Sequence, residues 1–107
     1  MSELRRSVRK AVKVEFVCHD ESGLGELMFD SADLSSGGAF LVSDVLFEEG
    51  ETMGLAFVLP NGSVIRCESR VARVQRFPVQ GQPAGMGVEF VGLAELDRRA
   101  LESFLEK

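Results

Sequence analysis

Apolar and polar residues alternate along most of the chain. Val12, Val14, Phe16 and Cys18 are interleaved with Lys13, Glu15, Val17 and His19, the period-two pattern of a half-buried strand. After a glycine-containing hairpin loop, "DESGLGE", the stretch "ELMFDSADL" reads as a second strand and "GAFLVS" as a third. "DVLFEEGE" reads as a turn closed by Gly50, and "TMGLAFVLP" as a fourth strand. "PNGS" then predicts a hairpin, because Asn-Gly accepts a tight twisted turn. "VIRCESRVARVQRF" is a long fifth strand whose apolar parity slips near Val71–Ala72, as at a bulge. "PVQGQPAG" is a loop, and "MGVEFV" a sixth strand with Met86, Val88 and Phe90 on one face. The period changes only in "LAELDRRALESFLEK", where Leu93, Leu96, Ala100 and Phe104 follow a 3-4-4 spacing and Leu101 and Leu105 widen the stripe. Glu95 and Asp97 suit the start of that helix and Lys107 its end, although Ala94 offers no capping acceptor. The expected fold is mainly β: a six-stranded antiparallel barrel, plugged or flanked by a C-terminal helix.

Composition narrows the class. A chain of 107 residues is one domain, long enough to bury a core without disulfide or metal staples. No apolar run approaches the ~20 residues of a membrane span, so membrane insertion is not expected. No apolar stretch follows the basic N-terminus as a secretory signal would require, and the chain reads as cytoplasmic. Cys18 and Cys67 then read as reduced core residues. The net charge of −5 hides an asymmetry: residues 1–13 hold five basic side chains against Glu3, a local +4, which leaves −9 on the rest. An acidic body argues against broad nucleic-acid binding, and the lack of Trp and Tyr argues against base-stacking platforms. Neither excludes a small anion held by one basic segment.

Catalytic groups are sparse. The single histidine, His19, adjoins Cys18, but neighbours on a strand face opposite ways and form no dyad. Cys18, His19 and Cys67 are too few for a zinc site, and no glycine loop has phosphate-loop spacing. Neither an enzyme nor a resident metal or cofactor is expected. Two segments stand out instead. "RRSVRK" sets Arg5, Arg6 and Arg9 close together, with guanidinium forks suited to phosphate and guanine edges; its plainer reading is a solvated tail. "DLSSGG" offers Asp33 as an acceptor, Ser35 as donor or acceptor, and Gly38 as bare backbone; its plainer reading is a turn that redirects the chain.

Arg5-x-x-x-Arg9 followed by Asp33-x-Ser35-x-x-Gly38 resembles the two-part signature of PilZ domains, bacterial receptors for cyclic di-GMP. "GMGVEFVGLAELDRRALESFLEK" is similar to that family's last strand and helix, so the likeness spans nearly the whole chain. The departures are Val8, where the family often has Pro, and Lys10, where it has an apolar residue. The resemblance implies that Arg5, Arg6 and Arg9 grip phosphates and guanine edges while Asp33, Ser35 and Gly38 form a second wall. It implies a basic ligand-binding arm over residues 1–10 and a barrel with its helix over 11–107. Ligand would order the arm and create a surface for an effector protein, since the chain offers no second domain as an output. Leu4, where relatives with a basic residue hold a stacked ligand pair, points to one nucleotide per chain. The alternative is a PilZ-like protein-interaction module with weak or absent nucleotide binding. The broad helical stripe leaves two uses open, filling a barrel mouth or making a homodimer contact.

Overall fold

The computed structural model describes residues 10–19, 26–43 and 47–106. Leu4, Arg5, Arg6, Arg9 and Lys107, and most of the "DESGLGE" loop, lie outside these. Six strands occur in the expected order: β1 (Glu15–His19), β2 (Glu26–Leu34), β3 (Gly38–Val42), β4 (Thr52–Val58), β5 (Val64–Gln75) and β6 (Gly85–Phe90), followed by helix α1 (Glu95–Leu105). All neighbours are antiparallel and the sheet closes on itself in the order β1-β2-β3-β6-β5-β4. Closure leaves no edge strand among the described residues.

The inward half of each strand builds the core. Phe16 and Cys18, Phe29, Ala39 and Leu41, Met53, Leu55 and Phe57, Ile65 and Val71, and Met86 and Val88 are all buried in one cluster. Phe16 and Phe57 stack at 4.2 Å between ring centroids. Outward positions carry the charge, among them His19, exposed and 3.7 Å from the Glu26 carboxylate. Cys18 and Cys67 are buried and outside any disulfide, and Cys18 donates to the Met53 sulfur at 3.3 Å.

Three local expectations change. First, β1 starts at Glu15 rather than Val12. The preceding segment is held from the side: the Ser31 hydroxyl donates to the Val12 carbonyl at 2.7 Å and accepts from the Val14 N–H at 2.9 Å. Second, "PNGS" does form a hairpin, but with a three-residue loop. Gly62 N–H bonds the Leu59 carbonyl, Leu59 N–H bonds that of Ser63, and only Gly62 has positive φ. Pro60 at the first corner favours this turn with a glycine bulge over the two-residue kind. The two-residue mirror turn lies in "PVQGQPAG": Gln80 and Gly81 have φ of 49° and 83°, and Val79 and Gln82 exchange both backbone bonds. Third, the buried line of α1 runs through Leu101 and Leu105, with Ala100 and Phe104 half-buried beside it, whereas Leu96 is 79% exposed. Only the second half of the helix lies against the core, so the first-turn leucine points past it. Ala94 makes no side-chain cap, as its chemistry requires.

Candidate functional site

Two bulges shape the outer wall. In β2 the pairing with β3 runs Ser31 to Leu41 and then Asp33 to Phe40, so Ala32 is an extra residue. In β5 the pairing with β6 runs Val71 to Val88 and then Arg73 to Gly87, so Ala72 is extra. An inserted residue reverses the alternation beyond it. Without Ala32 the pattern would turn Asp33 into the core and Leu34 out; instead Leu34 is fully buried and Asp33 lines an outer cavity. Without Ala72, Arg73 would face inward; instead Val74 packs toward the core and Arg73 stands outside.

Phe40 and Gly87 are themselves partners across β3 and β6. Asp33, Phe40, Gly87 and Arg73 therefore form one row across β2, β3, β6 and β5. Asp33 and Arg73 end the row, roughly 14 Å apart at the backbone from three strand spacings. Between them is a cavity of about 490 Å³, which Ser35, Gly37, Gly38 and Glu89 also line. Gly87 of β6, which carries no side chain, forms part of its lining. Phe40 lies along Gly85, where an added Cβ would come 2.8 Å from its ring, and is 1% exposed although it belongs to the outer face. The guanidinium carbon of Arg73 sits over that ring, 5.6 Å from its centroid.

The β2–β3 connection closes one side of the cavity. Ser35 is buried, and its hydroxyl accepts from the N–H groups of Gly37 and Gly38 and donates to the Gly38 carbonyl, each at 3.2 Å. Its own N–H bonds the same carbonyl at 2.8 Å. Gly38 must lack a side chain for a further reason: a Cβ there would lie 2.1 Å from the Val88 carbonyl oxygen. The turn chemistry of "DLSSGG" is thus present in full, and it holds the loop in shape beside Asp33.

The first described residue, Lys10, joins the barrel at this loop. Its N–H and carbonyl bond the carbonyl and N–H of Leu34, both at 2.9 Å, between Asp33 and Ser35. Its ammonium stands 5.4 Å from the Phe104 ring centroid, which brings the last turn of α1 to the same rim. Of the residues singled out in the sequence, Asp33, Ser35 and Gly38 are brought together. Arg5, Arg6 and Arg9 precede Lys10 and lie outside the described residues. Among the described residues no cluster of His, Cys, Asp and Glu is placed to hold a metal, and no helix is long and apolar enough to cross a membrane.

The model of the PilZ domain family matches residues 3–107. The chain belongs to the PilZ family. No curated protein sequence matches it. Among solved structures, this PilZ domain is similar to the Bacillus subtilis inhibitor of motility, MotI/DgrA, with a TM-score of 0.82 at 23% identity. That match covers 95% of this chain and 49% of the other, so the chain spans about half the length of the B. subtilis protein. It is similar to the PilZ domain of YcgR from Escherichia coli, solved with cyclic di-GMP, with a TM-score of 0.73 at 15% identity over 95% of this chain and 88% of that one. The PilZ domain of CeSA from a cellulose-synthesizing bacterium gives 0.56 at 17% identity over 92% and 90%. At these identities the likeness concerns the barrel and helix.

Arg73, Phe40 and Gly87 were not singled out as site residues from sequence. The parity slip at Val71–Ala72 was the available signal, since a bulge there turns Arg73 outward. Its partner across β6 is a matter of register, which the slip alone does not give. Cys67 lies away from the cavity, on β5 near α1. Burial, then Asp97, then Glu68 push its thiol up to about 11, so it is a poor nucleophile at neutral pH.

Proposed function

We propose that this PilZ domain is a receptor for cyclic di-GMP that acts through a protein partner rather than by catalysis. The observation that carries the reading is that the chain joins the barrel at Lys10, directly beside the second motif segment. The "DLSSGG" loop borders the cavity, and the chain that bears Arg5, Arg6 and Arg9 joins the barrel at Lys10, hydrogen-bonded between Asp33 and Ser35. In this reading the three arginines grip the phosphates and Asp33 accepts from the N1 and N2 edge of guanine. Ser35 and Gly38 act mainly by shaping the loop that presents Asp33. Ligand would gather residues 1–10 over the cavity, and the covered rim would be the surface a partner reads. YcgR, whose PilZ domain was solved with cyclic di-GMP, lends the ligand its identity.

Calorimetric titration with cyclic di-GMP tests the reading. Loss of one partner of a charged hydrogen bond costs roughly 1.5–3 kcal/mol, about tenfold or more in affinity. Arg9→Ala and Asp33→Ala should each weaken binding by that much while the thermal melt stays cooperative. Wild-type affinity in Arg9→Ala would remove the arm from the site.

A further inference from the structure

We propose that Arg73 carries a guanine base of the ligand, stacked on the outer face of its guanidinium while Phe40 supports the inner face. The inference rests on the cyclic di-GMP reading above and adds to it a residue outside the two motif segments. Three features of the wall hold Arg73 in place. The Ala72 bulge turns it outward. Gly87, its partner on β6, leaves room for its stem: a Cβ at 87 would come within 3.2 Å of Arg73 Cγ and Nε. The Phe40 ring lies beneath the guanidinium. A side chain so placed already stands over the cavity wall before a ligand arrives.

Its charge is also uncommitted. Glu89, the acid beside it in the cavity wall, pairs with Arg70, and Arg73 has no ion pair among the described residues. A planar cation placed over an aromatic ring has a second face for another π-system, and purines are good partners for it. Arg73 shares its row with Asp33, so a nucleotide whose guanine edge meets Asp33 at one end of the cavity lies within reach of Arg73 at the other.

Calorimetry with cyclic di-GMP separates this role from two simpler ones. Loss of a stack on one base predicts that Arg73→Ala weakens binding about tenfold or more. Arg73→Lys keeps the charge but not the plane, and should fall nearly as far. Both changes are on the surface, and thermal melts verify the fold. If Arg73→Lys binds like wild type, Arg73 makes only a charge contact and the stack is refuted. If both variants bind like wild type but melt earlier, Arg73 merely shields Phe40, which also refutes it. Failure of the wild-type protein to bind cyclic di-GMP would sink the receptor reading itself, a result distinct from either of these.

Discussion

At the scale of single residues, the "DLSSGG" loop is largely scaffolding. Ser35 spends its hydroxyl on the two glycine N–H groups and on the Gly38 carbonyl. Ser35→Ala should therefore lower stability by about 1–3 kcal/mol, the cost of leaving buried polar groups without partners. Gly38→Ala should be harsher, because its Cβ would strike the Val88 carbonyl, a backbone atom that cannot rotate away. A chemical melt of Gly38→Ala with wild-type stability would refute that packing argument. Asp33→Ala should act on the ligand instead, weakening cyclic di-GMP binding. The identity of these residues was legible in the sequence; their division of labour was not. Asp33 and Ser35 both read as hydrogen-bonding groups, and only the fold reveals that one is enclosed by its own loop while the other faces the cavity. Cys67 gives a pH signature at the same scale. Its thiol is held protonated in the folded state, so the associated stability is present below about pH 9 and lost as pH rises toward about 11.

At the scale of elements, alternation located all six strands because one face of each is buried and the other wet. It also detected the β5 bulge, since Val71 and Val74 cannot both face inward across an unbroken period of two. The β2 bulge escaped notice because Ser31, Ala32 and Asp33 are small or polar, and a parity change among them leaves no hydropathy trace. The helix erred for a similar reason. Leu96, Ala100 and Phe104 form as good a 3-4-4 line as the true one, and what decides is where the barrel ends beneath the helix. Leu101, fully buried, and Leu96, mostly exposed, make a matched pair. Leu101→Ala should cost about 2–5 kcal/mol, and Leu96→Ala about 0.5 kcal/mol or less. Urea melts of the two variants check this. A large loss in Leu96→Ala, especially one that grows on dilution, would instead place that leucine in a contact between copies.

At the scale of the whole molecule, the barrel takes in the chain that precedes β1 along the part of β2 that β1 leaves unpaired. It does so from the side, through Leu34 and Ser31. Lys10 exchanges backbone bonds with Leu34, and two and four residues later the Ser31 hydroxyl and N–H tie down Val12 and Val14. Ser31 does not line the cavity, yet it fixes the direction in which the chain approaches Lys10. A second buried serine provides the control. Ser69, on β5, is fully buried and donates its hydroxyl to the Met53 carbonyl at 3.0 Å. Ser31→Ala and Ser69→Ala each remove one buried hydroxyl, and each should lower stability by about 1–3 kcal/mol. Their effects on cyclic di-GMP affinity should differ. Slackening the Ser31 clip leaves the arm less well placed and adds an ordering cost to binding, which weakens it severalfold. Slackening the β4–β5 pairing at Met53 leaves the arm's entry unchanged. The comparison requires titrations at a temperature where both variants remain folded. Equal losses of affinity in the two would mean that binding follows global stability, and that the clip at Ser31 has no special hold on the arm.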